Sequence, residues 1–247
     1  MRKCAVTRSP KSGFTLIELM IVIAIIAVIA AIAIPGLLSS MRAANERSAA
    51  TSLKTISTAE ADFRANDRDW NHVNDFWTYN VCGLYTMTSA AVTTNLANTT
   101  TDPAIKLIEL SMASADSEGS AATITGCAEF AALSTFAVSS AKAGYWYIAL
   151  TLDQSLAGTS ECTYKLDTGG TPAMASVHNT SKFGFLSFPD SQSAGKFVFI
   201  VNENNTIFRS ATSGFTRPVG TPPGTLTSPY NQWPSDTSLK SFWSKLD

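Results

Sequence analysis

Glu18 is a carboxylate placed at the start of a long apolar run: from Leu19 to Ile34 sixteen consecutive residues are apolar. An ionisable group inside hydrocarbon costs about 2.5–3.5 kcal/mol or more and demands a cationic partner, so it marks a functional position. Three cysteines of the region beyond that run, Cys82, Cys127 and Cys162, allow one intramolecular disulfide and one leftover thiol. Spacing alone does not choose the pair; Cys127 with Cys162 would clamp the loop entering a sheet to its second strand. Asp67, Asp69, Asn71 and Asp75 stand at the first, third, fifth and ninth positions of an oxygen-ligand loop of the kind calcium uses. His72 replaces the glycine and Thr78 the glutamate that such a loop needs, which makes this a weak cation site. No glycine-rich phosphate loop, nucleophile elbow or HExxH motif occurs, and His72 and His178 are the two histidines. The expectation is a protein that is not an enzyme and holds no cofactor.

The element that carries Glu18 is set by length. Counted from Phe14 to Leu38 the apolar stretch is 25 residues, and a helix of about 20 residues crosses a bilayer core of about 30 Å. Arg2, Lys3, Arg8 and Lys11 precede it with no acid among them, which places residues 1–13 on the cytoplasmic side and exports the rest. Pro35 lies within the pattern, where it removes a backbone donor and is expected to bend or loosen the helix. Beyond it, Leu53, Ile56, Ala59 and Phe63 recur at three- and four-residue steps and predict one amphipathic face continuing to Asn66. Arg42 with Glu46, and Glu60 with Arg64, are spaced four apart and read as pairs on the solvated side.

Residues 67–213 read as a globular head. A short helix is expected from Asp102 and Pro103, with Ile105, Leu107, Ile108 and Met112 inward. Strands follow at Tyr145–Leu152, Cys162–Leu166, Lys182–Phe188, Lys196–Val201 and Thr206–Ser210, with a hairpin connection at Asn202–Asn205. Residues 214–247 hold a proline-rich strap and an amphipathic helix with Leu239, Phe242, Trp243 and Leu246 on one face, capped by Ser235 or Asp236. That face packs on its own head or docks on a neighbouring subunit. The formal net charge is −1, but from Phe14 onward 14 basic residues face 19 acidic ones, which argues against a nucleic-acid partner.

The run Lys11-Ser12-Gly13-Phe14-Thr15-Leu16-Ile17-Glu18, followed by the apolar stretch, resembles the processing motif of type IV prepilins and type II secretion pseudopilins. The resemblance covers about 50 residues and departs from the commonest form in having Ser12 between Lys11 and Gly13. It implies a leader at residues 1–13, cleavage after Gly13 by a prepilin peptidase and N-methylation of Phe14. It also implies a filament-core helix over residues 14–38, with the helix half at 39–66 anchoring the head. Glu18 becomes the fifth residue of the mature chain, poised to pair with the Phe14 ammonium of another subunit, and Pro35 falls where the family has a helix-kinking proline. The fold implied is α+β: a long N-terminal helix packed on an antiparallel sheet. Partners implied are the peptidase, identical or related pilin subunits, an inner-membrane assembly platform and membrane lipid. The final location is an extracellular pilus or a periplasmic filament. The late strands also resemble, diffusely, the C-terminal half of pilin-like proteins.

Overall fold

The structure, a computed structural model, describes residues 13–68, 73–86, 106–117, 140–157, 163–164, 178–212 and 232–246. Helix α1 runs Leu16–Asn66, 51 residues, as expected from its aliphatic and alanine-rich sequence. The helix is continuous through Pro35 and Gly36, with no break at the proline. The chain divides into two compact units, Met1–Met41 and Arg42–Asp247. In the first, the described side chains are bare: Phe14 is 81% exposed and Ile32 78%. This part of α1 is long and apolar enough to cross a membrane.

In the second unit α1 changes character. Leu53, Ile56, Ala59 and Phe63, the face expected from periodicity, are all buried, together with Ala49 and Ala50. They meet a five-stranded antiparallel sheet in the order β2 (Tyr145–Ala149), β5 (Gly184–Pro189), β6 (Phe197–Asn202), β7 (Ile207–Ala211) and β9 (Ser244–Leu246). Alternation along each strand sends residues to opposite faces. Tyr145, Tyr147, Phe185, Phe199 and Val201 join α1 in one core. Trp146, Ile148, Leu186, Val198 and Ile200 form a second core on the far face, closed by Trp233, Leu239 and Trp243. Register fixes this: Ile148 faces Leu186, Leu186 faces Ile200 and Ile200 faces Phe208 across successive strands. Each large side chain so buried contributes about 1.5–3 kcal/mol, and both faces being covered accounts for strands with no exposed residue, such as β2.

Two small sheets flank the main one. Strand β1 (Phe76–Trp77) pairs antiparallel with β4 (His178–Asn179), and β3 (Leu152–Asp153) pairs parallel with β8 (Gln232–Trp233). Helix α2 (Gly83–Thr86), which the sequence reading lacked, packs near α3 (Leu110–Ala113). The expected helix from Asp102 is corrected here: residues 106–109 are not helical, and α3 starts after Glu109. The Leu107 amide is instead donated to the Leu84 carbonyl at 2.9 Å, a tertiary bond that takes the place of a helical one. Ile108 and Met112 are buried as expected, while Asp102, Pro103 and Ile105 lie outside the described residues.

The C terminus differs as well. Helix α4 (Asp236–Phe242) is capped by Ser235, whose Oγ accepts the Ser238 amide at 3.4 Å. It stops at Phe242, and Leu246 is in β9 opposite Ile207, not on the helix face. An extended Trp243 redirects the chain so that β9 satisfies the outer hydrogen-bonding groups of β7. Leu239 and Trp243 pack on the head's own second core, whereas Phe242 is 74% exposed. The hairpin at Asn202–Asn205 forms as expected, Asn205 donating its amide to the Asn202 carbonyl with φ at 52°. Of the expected strand Cys162–Leu166, Thr163 bridges Leu152; Cys162, Lys165 and Leu166 lie outside the described residues, as do strap residues 214–231.

Candidate functional site

At the start of α1 the residues Thr15-Leu16-Ile17-Glu18 form a reciprocal cap. The Thr15 amide donates to Glu18 Oε2 at 2.8 Å, the Thr15 hydroxyl to the same oxygen at 2.6 Å, and the Glu18 amide to Thr15 Oγ1 at 3.3 Å. This is the capping box, which satisfies two of the helix's orphan donors and puts a negative charge at the positive end of its dipole. The T-x-x-E spacing was readable in the sequence; the apolar context drew attention to the charge instead. Gly13 has open space around its Cα, and Phe14 is exposed beside it. The Gly13–Phe14 bond therefore lies outside the helix, just before the capped turn. An amine at Phe14 would be one residue from the amide that already binds Glu18.

Further along α1, the expected surface pairs are replaced by contacts to the head. Arg42 Nε donates to the Ser193 carbonyl at 3.3 Å, Asn45 Nδ2 to the Ala194 carbonyl at 3.1 Å, and Glu46 Oε1 accepts the Lys196 amide at 2.9 Å. Three side chains within about one turn of α1 thus hold the loop between β5 and β6, whose backbone groups outcompete a solvated Arg42–Glu46 pair. Gly195 in that loop sits so close to Tyr145 that a Cβ would lie 2.0 Å from the tyrosine oxygen.

Glu60 is not on the solvated side. It is fully buried and accepts the Trp77 amide on Oε2 at 2.9 Å, while Oε1 has no hydrogen-bond partner. Burial, and secondarily the neighbouring Asp75 carboxylate, push its pKa well above the usual carboxylate range, against the opposing pull of the Trp77 amide. Arg64 lies over the Phe76 ring, 4.8 Å from its centroid, rather than on Glu60. Asp116, which no sequence signal flagged, is 3% exposed and accepts the Val81 and Cys82 amides at 2.8 and 2.9 Å. It tethers the segment before α2 to the sheet, where Asp116 itself bridges Tyr147.

Of the weak cation set, Asp67 ends α1 with φ at 45° and Asp75 is buried beside Glu60, whereas Asp69 and Asn71 lie outside the described residues. Among the described residues no three His, Cys, Asp or Glu side chains are grouped to hold a metal ion. Cys82 is buried at 6% exposure; Cys127 and Cys162 lie outside the described residues.

The geometry defines a class: an N-terminal helix with a capped acid at its start and an apolar first half, followed by an antiparallel sheet in an α+β arrangement like that of pilins. Residues 8–34 match the prokaryotic N-terminal methylation motif. That motif is characteristic of type IV pilins and pseudopilins, and over this N-terminal segment the chain is similar to their precursors. No curated protein and no solved structure matched the chain.

Proposed function

We propose that the chain is a structural, non-enzymatic subunit of a type IV pilus-like filament. It inserts in the cytoplasmic membrane with residues 1–13 inside, is cut after Gly13 by a prepilin peptidase and is N-methylated at Phe14. Subunits then polymerise through α1, the Glu18 carboxylate of a subunit in the filament neutralising the Phe14 ammonium of the incoming one. Both charges are costly alone in hydrocarbon, so pairing drives assembly and fixes register. The methylation motif over residues 8–34 carries this reading. The capping box supports it by holding the Glu18 carboxylate at the terminus where the new amine arises.

Glu18→Gln keeps an acceptor for the Thr15 amide and removes the charge. The expected result is a methylated, membrane-inserted protein that forms no filaments; filaments in wild-type amount would refute the pairing. N-terminal mass spectrometry of sheared surface material and of the membrane fraction locates the product. N-methyl-Phe14 in sheared material supports an external pilus, its confinement to the membrane fraction a secretion pseudopilus. A Met1 terminus in both overturns the reading.

A further inference from the structure

Between Glu18 and Arg42 helix α1 carries no ionisable side chain. Residues 19–41 cover about 34 Å at 1.5 Å per residue, enough to fill a bilayer core of about 30 Å. With the chain inserted, the hydrocarbon edge on the head's side falls near Met41. The residues just past it meet a headgroup layer about 5–7 Å deep.

A groove of about 590 Å³ begins there, between Ala43, Arg47 and Lys54 of α1 and the edge of the main sheet, where Ile207, Arg209 and Leu246 face it. Arg47, Lys54 and Arg209 are exposed, and among the described residues none of them is in an ion pair. Glu46, the one acid lining the groove, is engaged with the Lys196 amide at 2.9 Å. Arg209 is held in place by the Ser244 hydroxyl at 3.2 Å and by the Phe197 ring, 5.1 Å from its guanidinium carbon. Like charges around one cavity repel one another. Gathering them in a chain that is net acidic from Phe14 onward makes the groove a receptor for an anion from outside.

The direction of the helix selects the anion. Every Cα–Cβ bond of an α-helix tilts toward its N terminus, so Arg47 and Lys54 lean back toward Met41 and the bilayer. Arg47 is six residues past Met41, about 9 Å along the axis, and its long aliphatic stem covers the remaining distance to the headgroups. Lys54 stands about 10 Å further along, where its charge still acts within a Debye length. Guanidinium forks match phosphate oxygens in pairs. We propose that the Arg47–Lys54–Arg209 groove holds the headgroup phosphate of an anionic phospholipid of the membrane that anchors α1. Each basic residue near such a surface raises binding about fivefold, so the groove fixes how the head stands on the bilayer before the subunit leaves it. The inference rests on the membrane-inserted reading of α1.

The test uses the full chain in nanodiscs of phosphatidylcholine, with and without phosphatidylglycerol, and follows head unfolding by tryptophan fluorescence. Phosphatidylglycerol is expected to raise the melting temperature by about 2–8 °C, and added salt to reduce the rise. Arg47→Gln/Arg209→Gln is expected to lose the rise. Because each protein is compared with itself in the two lipids, a change in the variant's own stability does not enter. Lys240→Gln/Lys245→Gln removes the same charge outside the groove and is expected to keep the rise. Equal loss in both variants means diffuse attraction to an acidic surface and overturns the proposal. So does an equal rise with inorganic phosphate in phosphatidylcholine alone, which would make the ligand a free anion. A rise that appears only after Asp247→Asn would show that the chain supplies its own counter-charge, and overturns it too. If alkaline carbonate strips the wild-type chain from the bilayer, the membrane-inserted reading itself fails, and the proposal falls with it.

Discussion

Glu60 offers a quantitative check on how the head is held. Its carboxyl is fully buried against Trp77 and Asp75, and its pKa lies well above that of an unfolded glutamate. The unfolded chain releases this proton near pH 4.3. Above that pH and below the native value, the folded state binds one proton more than the unfolded state, so stability falls as pH rises. One proton makes the slope about 1.4 kcal/mol per pH unit. Below the unfolded value the contribution is fully present and flat. Glu60→Gln keeps a carbonyl oxygen for the Trp77 amide and cannot ionise. Its stability relative to wild type is therefore expected to increase by about 1.4 kcal/mol for each pH unit through this window. Carboxylates other than Asp75, which is coupled to Glu60, are common to the two proteins and cancel in the difference. Urea unfolding of the full chain in detergent, followed by tryptophan fluorescence at half-unit steps from pH 4 to pH 8, measures it. Parallel stability curves for wild type and Glu60→Gln would show that the buried glutamate does not hold a proton and would refute the reasoning.

Other substitutions probe the same head. Asp116→Ala leaves the Val81 and Cys82 amides buried without their acceptor, which is expected to cost on the order of 2–5 kcal/mol; a melting temperature within a degree or two of wild type would contradict it. Gly195→Ala drives a methyl into the Tyr145 oxygen, with an expected loss of about 1–3 kcal/mol. Tyr145→Phe in the same chain should recover part of that loss, and a double-mutant cycle with no coupling between the two positions would argue against the close approach.

What could be read from the sequence divides by range. The Leu53, Ile56, Ala59 and Phe63 face was legible because helical periodicity is local, and so were the strands around Trp146, Leu186 and Ile200, which are apolar along their length because a core covers each face of the sheet. Glu60 was misread because its four-residue spacing to Arg64 is also local, while the Trp77 amide that claims it is 17 residues away. Asp116 serves amides 34 and 35 residues distant, which no spacing rule reveals. Leu246 fits a helical face perfectly well by period; pairing with Ile207 decides otherwise. At the candidate site the methylation motif and Glu18 were legible, and the Thr15 cap that orients the carboxylate was present as T-x-x-E but overlooked.

The main sheet adds its strands in the same order in space as in the chain, β2, β5, β6, β7 and β9, each antiparallel to the one before. No strand has to be threaded between two that are already paired. On the proposed export from an anchored N terminus, the chain would lay down this sheet like courses of brick. Each arriving strand meets a ready edge, with the buried face of α1 already present as the surface to build on. The final course is β9, which follows the other four strands in the chain and finishes the edge and the groove beside it. A head in which β9 had not yet paired would lack that edge and that surface.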